Sequence, residues 1–162
     1  MIDDTPGTTV TEIRAKARRM LHGKKLGLVV VDYLQLLSPP AGMRRADSRA
    51  TEVSEMSRGI KIMAKDLECP VIALSQLSRR VTERTGKRPE LSDLRESGAI
   101  EQDADEVMFL YREDYYNKDT PEQNVAECIV AKNRHGETGT VKLQWLPQFT
   151  TFADREWRHD EG

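Results

Sequence analysis

The chain has no apolar stretch long enough to cross a membrane. Its longest candidate, 26–37, reads Leu-Gly-Leu-Val-Val-Val-Asp-Tyr-Leu-Gln-Leu-Leu and is interrupted by Asp32. A spanning helix needs about 20 apolar residues, and no secretory segment is present. The chain therefore reads as cytoplasmic. Cysteine is scarce: Cys69 and Cys128 lie far apart and match no metal-ligand spacing. They read as buried free thiols in a reducing compartment. An excess of one charge is also missing, since 25 basic residues face 27 acidic ones for a net charge of −2. Bulk charge thus does not announce a nucleic-acid partner, and any such site must be a local patch. The phosphate loop Gly-x₄-Gly-Lys-Ser/Thr is absent too. Gly23-Lys24-Lys25 and Gly86-Lys87-Arg88 lack both its first glycine and its hydroxyl residue. There is no internal repeat and no linker. At 162 residues the chain suits one domain with a real core.

Hydrophobic residues make up 38% of the chain and charged ones 32%, a balance that fits an α/β domain with a polar surface. The apolar run predicts a first strand over 26–31, buried on both faces as in a parallel sheet. Before it, Thr9 and Glu12 have capping-box spacing and open an amphipathic helix to about Leu21. Proline and glycine make 38–47 a loop. Val53, Met56, Ile60, Met63, Ala64 and Leu67 recur at helical spacing over about 49–67. Gly59 inside that helix costs about 1 kcal/mol against alanine, which points to a close approach there. A second strand is predicted over 70–74, a polar loop over 78–95 and a helical turn over 97–104. Further strands are predicted over 106–111, 125–131 and 140–145, the last two joined as a hairpin. The fold class is α/β with a mostly parallel sheet flanked by helices and an antiparallel hairpin at its C-terminal side. The polar residues 154–162 form a tail after a domain spanning 1–153.

Three constellations carry chemistry: two strand-end residues, a basic stretch and a pair of cations. Asp32 ends a buried strand, where open α/β sheets place their ligands. A Mg²⁺ ion on a nucleotide takes one or two carboxylates together with phosphates and waters, which suits Asp32. The alternative is that Asp32 caps the next turn. Gln76 ends the second strand, where an amide can sense a γ-phosphate or orient an attacking water, or merely stabilise a turn. The stretch 78–95 carries six cations (Arg79, Arg80, Arg84, Lys87, Arg88, Arg95) against three carboxylates, net +3. That suits contact with a phosphate backbone, although a solvated loop has the same composition. Gly98, next to a short helix, offers backbone N–H groups to an anion. Lys132 and Arg134, two apart on a strand, point to one side and could reach one polyphosphate. A surface charge pair is the alternative.

Four segments are similar, in order and spacing, to the bacterial replicative DNA helicases of the DnaB type. They are Val31-Asp32-Tyr33-Leu34-Gln35-Leu36, Ser75-Gln76-Leu77-Ser78-Arg79, the long stretch 91–105 and Ala131-Lys132-Asn133-Arg134-His135-Gly136. The resemblance covers about 1–153, and 95–105 is its most specific part. It implies the RecA-like ATPase domain of a hexamer that encircles single-stranded DNA and unwinds duplex with ATP and Mg²⁺. Asp32 then matches the aspartate that holds the metal through water. Gln76 matches the glutamine linking nucleotide to the DNA loops, and Lys132 and Arg134 match the basic pair reaching the adjacent subunit's ATP. Arg95, Glu96 and Gly98 match the DNA-loop positions, with Arg79 and Arg80 in the basic loop beside them. Primase and a helicase loader are the partners it implies, with no membrane.

By the same resemblance, the phosphate loop, the catalytic glutamate and the collar domain lie upstream of residue 1. The 162 residues alone are then expected to be inactive. Two other readings remain at this point. One is a recombinase-like ATPase with the same core, which lacks a collar domain. The other is a non-catalytic module binding DNA or a partner ATPase, favoured if the natural protein has the mass of this chain.

Overall fold

A computed structural model describes residues 1–21, 25–39, 48–78 and 80–155, giving the backbone alone at Leu21, Arg80, Arg95, Glu96 and Ser97. These residues form two units. The first comprises Met1–Ser78 and Ser92–Ala104, the second Arg79–Leu91 and Asp105–Gly162.

In the first unit, helix α1 spans Val10–Leu21 and starts with the capping box that the Thr9/Glu12 spacing predicts. The Thr9 hydroxyl accepts from the Glu12 amide at 3.2 Å, and the Glu12 carboxylate accepts from the Thr9 amide at 2.8 Å. Two orphan donors of the first turn are thereby satisfied. Helix α2, Arg49–Leu67, is capped by Ser48 and ends where Glu68 turns left-handed at φ 48°. Val53, Met56, Ile60, Met63 and Leu67 form its buried stripe, and Met56 is fully buried. Gly59 lies where α1 approaches: a Cβ there would stand 3.4 Å from Val10 Cγ1. That is the close approach its sequence position points to.

Strands β1, Val29–Val31, and β2, Val71–Ala73, pair in parallel with Val29 opposite Val71 and Val31 opposite Ala73. Val29, Val71 and Ala73 pack on the cluster built from α1, α2 and Leu34. Two expectations change here. The first strand is shorter than 26–31, and it is not buried on both faces. Val30 is 56% exposed and its partner Ile72 50%. The helices of this unit cover one face of the pair, so residues of alternate parity point to water. After β1 comes a 3₁₀ turn, Leu34–Leu36.

The stretch 78–95 is not the plain polar loop expected. Helix α3, Arg80–Glu83, opens in it, and a 3₁₀ segment, Leu91–Ser97, closes it. Val81 and Leu94 are buried apolar residues among these charges, and burying them stabilises the short turns. Helix α4, Gly98–Asp103, packs on α2, where the Ser57 hydroxyl donates to the Asp103 carboxylate at 2.9 Å. The loop expected over 38–47 lies mostly outside the described residues, as does most of the tail expected at 154–162.

The second unit is a four-stranded antiparallel sheet in the order β3-β4-β5-β6. Its strands are Glu106–Tyr111, Val125–Asn133, Gly139–Leu146 and Thr151–Asp154. The α/β class therefore holds. Among the described residues parallel pairing is confined to β1 and β2, and the antiparallel part is a whole sheet rather than a hairpin. Sequence reading misses β6 and the short helix α5, Glu113–Tyr116. Asp114, on α5, is 4% exposed and organises its surroundings. It accepts two hydrogen bonds from Arg112, at 3.0 and 3.1 Å, and one from the Asn124 amide at 3.0 Å. Arg112 in turn stacks on Trp145, 4.8 Å from its ring centre.

Candidate functional site

The site begins with two adjoining strand ends. Beyond Val31 and Ala73 the pairing continues: the Leu74 amide donates to the Val31 carbonyl at 2.9 Å, and the Leu34 amide to the Leu74 carbonyl at 2.9 Å. The chain segments carrying Asp32 and Ser75-Gln76 therefore leave the same edge side by side. Asp32 and Gln76 are both exposed. The Asp32–Tyr33 peptide is cis.

Gln35 joins the two segments. Its Nε2 donates to the Ser75 hydroxyl at 3.1 Å and to the Gln76 carbonyl at 3.3 Å. Its Oε1 accepts from the Gln76 amide at 3.2 Å. The carbonyl of Gln35 accepts from Arg49 Nη2 at 2.8 Å, and Arg49 pairs with Glu52 at 2.7 Å in the first turn of α2. Sequence reasoning gives Gln35 no role. The available signal is a lone amide three residues after Asp32, between Leu34 and Leu36.

Gly98 starts α4 in the same unit, exposed, with nothing within 4 Å of where a Cβ would stand. Arg95 and Glu96 lie just before it in the 3₁₀ segment, and Arg80 opens α3. The side chains of these three are outside the described residues, and so is the whole of Arg79.

Lys132 and Arg134 belong to the second unit. Lys132 lies on β4 opposite Val107, beside a shift in the β3–β4 register. The strand ends at Asn133, and Arg134 stands one residue beyond it. The Arg134 amide donates to the Asp105 carbonyl at 2.8 Å, and its guanidinium meets the Asp105 carboxylate at 3.2 Å. Both partners of that ion pair are about half exposed.

A cavity of about 320 Å³ also lies in the second unit, lined by Arg88, Tyr111, Glu113, Glu122 and Glu127 among others. Three carboxylates against one guanidinium make it a poor seat for a polyphosphate. Burial, and then the hydrogen bond to Glu113, push the Tyr111 hydroxyl up to about 12. Apart from Arg88 of the basic stretch, none of the sequence-derived site residues lines this cavity.

The metal question turns on Asp32. It offers one exposed carboxylate at a strand tip, which suits a Mg²⁺ that brings phosphate oxygens and waters with it. Among the described residues no cluster of three or more His, Cys, Asp or Glu side chains offers a protein-only cage. The donor set fits a nucleotide-borne ion and not a resident structural one.

Fold and strand-tip pair together define an α/β domain of the kind that presents polar side chains to ligands at the carboxyl ends of parallel strands. The chain belongs to the family of the DnaB-like helicase C-terminal domain, whose model matches residues 1–154. It is 54% identical over 161 residues to the replicative DNA helicase DnaB of Geobacillus stearothermophilus and 53% identical to the replicative DNA helicase DnaC of Bacillus subtilis. Each alignment takes in 99% of this chain and 35% of the relative, so the chain spans about a third of the length of these curated relatives. Two solved structures are similar. The ATPase domain of G40P is 48% identical with a TM-score of 0.85, over 93% of this chain and 52% of that one. A DnaB-like replicative helicase, described with its interactions with primase, is 47% identical with a TM-score of 0.88, over 96% of this chain and 37% of that one.

Proposed function

We propose that this chain forms part of the RecA-like motor domain of an ATP-dependent replicative DNA helicase. In this reading the motor works as a ring hexamer on single-stranded DNA in the cytoplasm, in contact with primase and a helicase loader. The observation that carries the reading is the side-by-side exit of Asp32 and Gln76 from paired parallel strands, in a chain of this family. No helix among the described residues is long and apolar enough to cross a membrane.

Mg²⁺ bound with ATP would neutralise charge on the phosphates. Asp32 would hold that ion through water, with its exposed carboxylate as the acceptor. Gln76 reaches the terminal phosphate with its amide and transmits its presence along 77–98. Arg79, Arg80, Arg95, Glu96 and the Gly98 amide meet the DNA backbone there. Lys132 and Arg134 serve a neighbouring subunit's nucleotide. Arg134 has to leave Asp105 to do so, and an exposed ion pair of that kind holds it by no more than about 1 kcal/mol. Its guanidinium then stabilises charge on the transferring phosphoryl group from across the subunit boundary.

The test is Arg134→Ala in the full-length protein carrying this segment. Hydrolysis is expected to fall on the order of 10³-fold, with hexamers intact by light scattering. Near-normal turnover would sink the assignment of Arg134 and weaken the motor reading with it.

A further inference from the structure

We infer that Gln35 is a positioning residue that holds the backbone of Gln76 in the register where its side chain can report on nucleotide to the DNA-contacting segment. The inference rests on the role of Gln76 given under the proposed function.

A primary amide can satisfy a neighbouring peptide's carbonyl and N–H together, because it carries an acceptor and a donor in one plane. Gln35 does this for Gln76, at 3.3 Å to the carbonyl and 3.2 Å to the amide nitrogen. The two contacts also fix which end of the amide is oxygen, since only one orientation serves both. A third contact, to the Ser75 hydroxyl at 3.1 Å, ties down the preceding residue. The pairing of the two segments has ended by Leu74, so these bonds replace the sheet pairing that Ser75 and Gln76 no longer have. Gln35 is itself anchored by Arg49 on its carbonyl, at 2.8 Å. The bracket thus runs from the first turn of α2 through the Asp32 segment to Gln76. Gln76 is left exposed beyond it, its backbone held and its side chain facing outward.

Replacing the amide by a carboxylate isolates this role. Glutamate keeps the size and can accept from the Gln76 amide, but it sets an oxygen against the Gln76 carbonyl. The experiment uses the full-length protein carrying this segment, as Q35E, Q35A, Q76A and the Q35A/Q76A double variant. ATP hydrolysis is measured with and without poly-dT, and assembly is followed by light scattering. For both Gln35 variants the ratio of DNA-stimulated to DNA-free hydrolysis is expected to fall on the order of tenfold, through kcat rather than through KM for ATP. The double variant should be no worse than Q76A, because two residues acting through one contact do not add. Full stimulation in Q35E and Q35A while Q76A loses it overturns the role of Gln35 alone, as does an additive double variant. Failure of both Gln35 variants to assemble overturns it too, marking the residue as structural. Full stimulation in Q76A removes the reading of Gln76, and the positioning role falls with it.

Discussion

At the scale of single residues, the charges with fixed partners divide by burial. Asp105 and Arg134 meet in the open, where water competes for both. Asp114 is different: it is nearly buried, and Arg112 and the Asn124 amide fill its acceptor sites. The Arg112 hydrogen bonds, and then that of the Asn124 amide, hold its carboxyl below the ordinary aspartate value of 3.8, against the opposing effect of burial. Asp114→Ala would leave the Arg112 guanidinium half-buried over Trp145 and the Asn124 amide unpaired. A loss of about 2 kcal/mol is expected for such groups, read as a shift in urea unfolding of the chain. The pH dependence has a definite sign. A carboxyl whose native pKa is depressed contributes stability above its unfolded value, so the contribution is complete above about pH 4 and is lost as pH falls through the native value. Asp114→Asn should flatten that acid limb, and an unchanged limb would remove Asp114 as its source. None of this was legible in the sequence. Arg112, Asp114 and Asn124 have no telling periodicity, and their contact depends on a short helix and a loop folding back.

At the scale of elements, long periodic segments were readable and short ones were not. Helix α2 runs over the very residues its apolar spacing marks, because a stripe of five buried side chains determines its length. The Thr9–Glu12 box was legible because two residues suffice to specify it. The burial of strand β1 is not legible in the sequence: an unbroken apolar run does not say how many layers cover a sheet. Helix α5 and strand β6 escaped because four residues carry too little pattern. At the site, Asp32 and Gln76 could be picked out from the family resemblance, whereas the Gln35 bracket requires knowing which backbone groups the sheet leaves unpaired. Gly59 shows a sequence signal with a measurable consequence. A methyl group there would stand 3.4 to 3.8 Å from three Val10 carbons, which is ordinary contact. Gly59→Ala is therefore expected to stabilise the chain by about 0.5 kcal/mol, most of the propensity gain surviving. Gly59→Leu should cost about 2 kcal/mol by forcing α1 away from α2. Urea unfolding followed by far-UV circular dichroism checks both, and equal effects of the two substitutions would refute the close-approach account.

At the scale of the whole molecule, the free energy stored in uncovered apolar surface becomes decisive. In the first unit Leu28, Val30, Ile72 and Leu74 are all about half exposed along β1 and β2. In the second, Leu110 and Val141 flank Cys128 in one cross-strand row, and Leu110 is 63% exposed. Singly exposed apolar residues are ordinary on protein surfaces, but contiguous ones mark surface that binds something or aggregates. The 162-residue chain alone lacks the Gly-x₄-Gly-Lys-Ser/Thr loop that cradles phosphates. Purified by itself it should turn over no ATP, bind a hydrophobic dye such as ANS, and self-associate at micromolar concentration. Lysine at Ile72 or Leu110 places a charge on each exposed face without touching a buried position, because both side chains already point to water. Each substitution should lower dye binding and shift the sedimentation profile toward monomer, with the circular dichroism spectrum unchanged. A wild-type chain that sediments as a monomer and binds no dye would show these faces to be covered, and measurable ATP turnover by the same preparation would show that its nucleotide site is complete without the loop.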